Sequence, residues 1–131
     1  MNINHIMIDD IGIVTVRGNM SADAIEKTRG EIESLVAKDG QKLILDMEGV
    51  AFIDSAGIGA VVYLVKKCRH SGGAVKIANV QGMVKDVFRM AGLDKALDIY
   101  PSVDLALKNF PEPKGKVLVG YDEYLRGSAV S

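Results

Sequence analysis

The chain has 131 residues, of which 48% are hydrophobic and 25% are charged, and its formal net charge is −1. These proportions are typical of one folded domain and exclude a disordered chain. Because the cationic side chains are scattered and balanced by acidic ones, we expect no nucleic acid partner. The longest apolar run, Ala56 to Val65, is far shorter than the about 20 residues that cross a bilayer, so we expect no membrane insertion.

The amino terminus and the cysteine content indicate the compartment. The first residues, Met1 to His5, do not combine a basic head with an apolar segment, as a secretory signal would. Cys68 is the only cysteine, which excludes an internal disulfide. We therefore expect a cytoplasmic protein in which Cys68 is a small core residue.

The predicted elements begin with a hairpin. Two apolar, β-branched runs over residues 3–8 and 11–17 predict two strands joined by a tight turn. Ser21 then predicts the N-cap of one amphipathic helix that Gly40 ends. The continuous apolar run within residues 42–47 is typical of a central strand covered on both faces.

The rest of the chain alternates helix and strand. The predicted segments are a largely buried helix over 56–69, a strand over 74–78, a helix over 83–91, a strand over 96–100 and a helix from Ser102 to Phe110. This alternation predicts an α/β fold with right-handed crossovers between parallel strands, and the hairpin makes the sheet mixed. We expect about five strands and about four helices over residues 1–110. Because the composition changes at Pro111, residues 111–131 are a predicted C-terminal extension.

No arrangement of residues predicts catalysis. Gly57-Ile58-Gly59 begins like a dinucleotide-binding fingerprint, but the third glycine position is Val62 and the glycines fall within a predicted helix. A serine hydrolase would need a base beside Ser55, and a helix would place His70 about 22 Å away. No spacing of histidines or carboxylates offers a metal site. We therefore expect a binding protein rather than an enzyme, without cofactor or metal.

Asp54-Ser55 is the candidate functional position. The pair lies between the predicted central strand and the buried helix, where Asp and Ser are common N-caps. The same position lies at the edge of the sheet where α/β proteins carry functional residues, so a hydroxyl there is accessible to a kinase. The residues alone leave both interpretations open, a structural cap and a phosphorylation switch.

A central stretch of the chain resembles a known family. Residues 43–59, LILDMEGVAFIDSAGIG, are similar to the signature of the STAS domain, the fold of bacterial anti-sigma factor antagonists. The predicted strand at 75–80 and the helices over 84–92 and 102–110 also lie where that family places them. The resemblance covers about residues 3–110 and implies a STAS fold.

The resemblance implies roles for individual residues. In the family, the Ser of Asp-Ser-x-Gly accepts phosphate, which implies phosphorylation of Ser55. Ala56 stands where many members have Ser or Thr, so Ser55 is the only hydroxyl of the motif. The family often has Gly-x-Leu-Asp after the second strand, where this chain has Gly18-Asn19-Met20-Ser21, so Asp23 is the candidate for the missing carboxylate. The partner-binding residues that follow are Asp54, Ala56, Gly57, Ile58, Met20, Ser21 and Asp23.

The resemblance also implies a function. An anti-sigma factor antagonist with unphosphorylated Ser55 binds an anti-sigma factor that is a serine kinase, so that a sigma factor is released. Phosphorylation ends this binding, and a phosphatase acting on phospho-Ser55 restores it. One alternative is a cytoplasmic STAS subunit of a lipid-transport ABC system that docks to proteins without phosphorylation. A small-ligand-binding domain or enzyme is a third interpretation.

The C-terminal extension contains one short apolar run. Val117 to Val119 can add a strand to an exposed sheet edge, either its own or that of a neighbour, and thereby promote a homodimer. A frayed tail is the alternative interpretation. The sequence does not decide between them.

Overall fold

Five strands form one sheet in the computed structural model, which describes residues 1–110. The strands are β1 (Asn2–Ile8), β2 (Ile11–Arg17), β3 (Lys42–Gly49), β4 (Ala74–Ala78) and β5 (Ile99–Tyr100). They lie in the order β1-β2-β3-β4-β5, with β1 antiparallel to β2 and the remaining neighbours parallel. The predicted hairpin, mixed sheet and central strand are confirmed. The extension and its apolar run at Val117 lie outside the described residues.

Six helices accompany the sheet in this part of the chain, where the sequence predicted about four. They are α1 (Ala22–Lys27), α2 (Arg29–Leu35), α3 (Ser55–His70), α4 (Gly82–Met90), α5 (Leu93–Ala96) and α6 (Val103–Lys108). The first predicted helix is divided because Thr28 is buried and leaves the helical conformation, with φ −106° and ψ 11°. Its hydroxyl donates to the carbonyl oxygen of Ala24 at 2.8 Å, which stabilises the break.

The segment before β5 also differs from the prediction. The strand expected over residues 96–100 is reduced to Ile99–Tyr100, and Ala96 instead ends α5. Gly92 adopts a positive φ of 73° that ends α4, and the chain then makes one further helical turn. A segment of mixed apolar and charged residues does not distinguish a short strand from one turn of helix.

The core lies on both faces of the sheet. Leu43 and Leu45 belong to a large buried cluster with residues of α2, α3 and α4, whereas Ile44 belongs to a smaller cluster with Ala106, Leu107 and Phe110. All three β3 residues are buried, as expected for a strand covered on both faces. We call the face covered by α6 and Phe110 the second face.

The connections after β2 and β3 lie at one edge of the sheet. Because parallel strands end together, these loops meet: the N–H of Gly18 donates to the carbonyl oxygen of Gly49 at 3.0 Å, and Met20 forms a parallel bridge with Ile53. We call this edge, where α1 and α3 begin, the carboxyl edge. No helix within residues 1–110 has both the length and the apolar character needed to cross a membrane.

Candidate docking site at the carboxyl edge

Asp54 is the N-cap of α3. Its Oδ1 accepts hydrogen bonds from the N–H groups of Ala56 at 3.0 Å and Gly57 at 3.1 Å, and its Oδ2 accepts one from Ala22 at 2.9 Å. The bonds from Gly57 and Ala22, with a smaller contribution from Ala56, hold the pKa of Asp54 below its ordinary value, because each favours the carboxylate. One carboxylate therefore joins the first turns of α1 and α3.

Ser55 is the first residue of α3 and is exposed. Within residues 1–110, no group forms a hydrogen bond with its hydroxyl. Because Asp54 already caps the helix, Ser55 is not needed for that purpose. The two interpretations that the sequence left open thus concern different residues: Asp54 is the structural cap, and Ser55 presents an accessible hydroxyl at the carboxyl edge.

Gly57 lets the start of α3 approach the loop after β2. The residue is buried, and a Cβ atom placed on it would collide with the carbonyl oxygen and Cβ of Met20 and with Cγ1 of Ile53. The first two of these atoms belong to a segment held by backbone bonds, because the Met20 N–H donates to Phe52 at 2.9 Å and the Met20 carbonyl oxygen accepts from Asp54 at 3.2 Å. Only glycine fits without displacing that segment.

The residues after Gly18 form the second half of the site. Met20 is 3% exposed, so its side chain lies beneath the surface and supports it. Ser21 is the N-cap of α1, and its Oγ accepts from the N–H of Ala24 at 3.4 Å. Asp23 is exposed in the first turn of α1 and lies 3.1 Å from Nζ of Lys27. The hydrogen bond from Ala22 to Asp54 keeps this turn beside the start of α3.

Ala56 and Ile58 complete the predicted set, and both are half-buried. Ile58 packs against the large core cluster with part of its side chain. The structure therefore brings all eight predicted residues to one place, with four of them half-buried: Asp54, Ala56, Ile58 and Ser21. Met20 and Gly57 are buried supports, whereas Ser55 and Asp23 are exposed.

Phe52 is an exposed residue of this site that the sequence analysis did not single out. It lies in the loop between β3 and α3, and its side chain is 40% exposed although the following Ile53 is buried. The adjacent start of α4 is tied to the same edge, because Nε2 of Gln81 donates to the carbonyl oxygen of Glu48 at 3.1 Å. The sequence offered one signal for this residue, an aromatic side chain three residues before Ser55. It did not predict the exposure of the ring, because the orientation of the side chain depends on the path of the loop.

A separate cleft of about 250 Å³ lies between α1, α2 and α3. Its polar lining residues have partners: the Tyr63 hydroxyl donates to the Glu33 carboxylate at 2.9 Å, and Arg29 pairs with Glu26. The hydrogen bond to Glu33 raises the pKa of Tyr63 because it favours the protonated phenol. This cleft does not include Ser55, so it is not part of the docking site.

The chain is similar to proteins of one known family. The model of the STAS domain matches residues 2–106. A putative anti-sigma factor antagonist, BtrV from Bordetella bronchiseptica, is 27% identical over 94 residues, covering 72% of this chain and 78% of the relative. The anti-sigma-B factor antagonist of Bacillus subtilis is 27% identical over 86 residues, covering 66% and 78%.

A solved structure extends the comparison to the fold. The Bacillus cell fate determinant SpoIIAA in its phosphorylated form superimposes with a TM-score of 0.62 at 20% sequence identity, covering 82% of this chain and 97% of that one. The similarity concerns the fold that carries the carboxyl edge. The residues after 106 lie outside the family match.

Proposed function

Because the chain belongs to the STAS domain family, we propose that it is an anti-sigma factor antagonist, a regulatory binding protein rather than an enzyme, and that Ser55 controls its binding. BtrV and the Bacillus subtilis relative carry the name of this function. The observation that supports control at Ser55 is its exposed hydroxyl at the first position of α3, beside a cap that Asp54 supplies. We also propose a cytoplasmic location.

The unphosphorylated protein docks through the exposed part of the carboxyl edge. Ser55, Ala56 and Ile58 offer a small, partly apolar surface on α3, and Phe52 and Asp23 flank it. The partner is an anti-sigma factor with serine kinase activity, which releases its sigma factor when it binds this surface. The absence of bulky or charged groups at Ser55 and Ala56 allows close approach.

Phosphorylation replaces the Ser55 O–H bond with an Oγ–P bond. The γ-phosphoryl group of ATP moves to Oγ as its bond to ADP breaks, and the hydroxyl proton passes to a base of the kinase. The modification adds about −1.5 to −2 charges next to the Asp54 carboxylate. The N–H groups of Ala56 and Gly57 already donate to Asp54, so the new phosphate extends into solvent.

The phosphate ends binding without unfolding the protein. A partner that covers the carboxyl edge must remove water from the phosphate, which costs several kcal/mol unless cations pair with it. The fold persists because the Asp54 cap holds α3 in both states. A phosphatase that removes the phosphate restores the docking surface. That the related SpoIIAA has been solved in a phosphorylated form with the same fold supports this view.

Phosphotransfer with a candidate kinase tests the proposal. The protein is incubated with kinase and labelled ATP, and the label is located by mass spectrometry. We expect label on Ser55, loss of label in Ser55→Ala, and weak kinase binding by Ser55→Asp. Ser34→Ala is the matched control, because Ser34 is another exposed helical serine.

Two outcomes would contradict the proposal. One is phosphate on a residue other than Ser55, and the other is undiminished kinase binding by Ser55→Asp. A protein that docks to its partner but is never phosphorylated would instead act as the ABC transporter alternative requires.

A further inference from the structure

Strand β1 is an open edge of the sheet. Its seven residues, Asn2–Ile8, pair with β2 in continuous register and with no other strand of residues 1–110. Natural edge strands usually carry charged residues, proline or a bulge that prevents further pairing. The sequence of β1, NINHIMI, has no proline, lysine, arginine or carboxylate. Nothing within this strand therefore prevents another strand from pairing with it.

The cover on the second face ends within β1, where Ile8 packs against the cluster that contains Phe110 but Ile6 does not. Ile6 and Ile13 lie opposite each other on β1 and β2, so their side chains share that face. Ile13 is 6% exposed because it belongs to the cluster with Phe110, whereas Ile6 is 60% exposed. Residues 1–110 thus cover β2 and the Ile8 end of β1 on this face and leave Ile6 exposed.

The chain leaves the described structure close to this uncovered strand. Helix α6 starts three residues after β5, and Val103 at its start packs with Tyr100 against the second-face cluster. Phe110 follows the helix and shares a buried cluster with Ile11 and Ile13 of β2. The path across the second face therefore runs from β5 toward β1.

The remaining chain is long enough to reach the β1 edge. Neighbouring strands are about 4.8 Å apart, and the six residues 111–116 can span about 20 Å when extended. They include both prolines of the extension, which therefore precede the run Lys116-Val117-Leu118-Val119. The run has β-branched residues and lacks proline, as a strand requires. At the other edge, β5 has only two residues and offers less to pair with.

We propose that residues 116–119 pair with the free edge of β1 in the same molecule, as a sixth strand that covers Ile6. The short connection from Phe110 makes the local concentration of this segment high, which favours its own edge over that of a neighbour. Apolar residues of the extension then remove Ile6 from water. The sequence analysis left open whether this segment pairs with a sheet edge of its own molecule or of a neighbouring one. The proposal selects one edge, β1 of the same molecule.

Amide hydrogen exchange of the full chain tests the proposal residue by residue. Because N–H groups of consecutive strand residues point to opposite sides, at least one of Val117→Pro and Leu118→Pro must remove a donor that faces β1. We expect the β1 amides that point away from β2 to exchange at least about tenfold faster in that variant than in the wild type. Ala129→Pro, ten or more residues beyond the run, is the control and should match the wild type.

Other outcomes would overturn the proposal. Fast exchange of the outward β1 amides, equal in the wild type and both proline variants, would mean that no strand pairs there. Light scattering should give a monomer; a dimer that either proline variant dissociates would place the segment on a neighbouring molecule. A dimer with protected β1 amides that neither variant changes would assign the edge to β1 of a second copy. Unchanged exchange in β3 verifies that each variant is folded.

Discussion

Ser21 and Ser55 both lie where a helix starts at the carboxyl edge, yet their hydroxyls have different roles. Ser21 is the N-cap of α1 and accepts a hydrogen bond from Ala24, whereas Ser55 is one residue further into its helix and has no such bond within residues 1–110. Asp54 occupies the capping position of α3 and also bonds to Ala22. A shift of one residue relative to the cap therefore separates a serine that stabilises a helix from one that is available for modification.

Replacing the two serines with alanine should produce the largest effect, because it includes a complete loss of phosphorylation. Under the proposed function, Ser55→Ala abolishes phosphorylation and leaves stability unchanged, because its hydroxyl has no hydrogen-bond partner within residues 1–110 to lose. Ser21→Ala keeps phosphorylation but lowers the free energy of unfolding by about 1 kcal/mol, because a cap is removed. Urea denaturation and phosphotransfer on both variants give the comparison. Equal losses of stability would refute the assignment of the cap to Ser21.

The glycines of α3 give the next largest effect. Gly57→Ala should lower the free energy of unfolding by about 3 kcal/mol, because the new methyl group collides with the backbone of Met20. Gly59→Ala is the matched control: a Cβ there meets only open space, and alanine is the better helix former, so stability should rise by about 0.5 to 1 kcal/mol. Urea denaturation of both proteins measures the difference. If both variants were stabilised, the contact with Met20 would not be tight.

Phe52 should affect binding rather than folding. Phe52→Ala is expected to weaken affinity for the kinase about tenfold, as apolar anchors at protein interfaces do, with little change in stability because the ring is already partly in solvent. Met90→Ala is the control, because Met90 is also exposed and lies at the end of α4 farther from the carboxyl edge. Calorimetric titration of both variants measures the affinities. An equal change in both would remove Phe52 from the docking surface.

Acid should produce the smallest effect, a loss of stability through Asp54. Its pKa in the folded state is lowered, so its contribution is complete above the ordinary aspartate pKa. That contribution disappears as the pH falls below about 4 through the lower folded value. Asp54→Asn should therefore be less stable than the wild type at neutral pH, and the difference should shrink in acid. Thermal unfolding from pH 7 to pH 2 follows it, and a difference that grew in acid would be contrary to the assigned direction.

Much of the fold could be predicted because it depends on local patterns. The continuous apolar run of β3 required two covered faces, and its residues Leu43, Ile44 and Leu45 are buried on both. The break at Thr28 could not be predicted, because apolar periodicity continues across it and the break is stabilised by the hydrogen bond from the Thr28 hydroxyl to Ala24. The single turn of α5 has no periodicity long enough to identify.

The candidate site was predicted in composition but not in arrangement. The motif placed Asp54, Ser55 and Gly57 together, and the structure separates them into a cap, an exposed hydroxyl and a buried contact. Met20 was chosen from its position after β2, and only packing reveals that it lies beneath the surface. The exposure of Phe52 likewise depends on the path of the loop between β3 and α3.

The sequence by itself determined the order of most elements, the central strand and the position of the serine at a helix start. These follow from apolar periodicity and from side chains that bond to their own backbone, which are interactions between near neighbours in the chain. The tertiary structure decided which of these side chains take part in contacts between distant elements and which are exposed. The Asp54 carboxylate is shared with Ala22, 32 residues away, and Gly57 contacts Met20 across the same gap between α1 and α3. Such contacts depend on the positions of two helices relative to the sheet, and no local pattern contains that information.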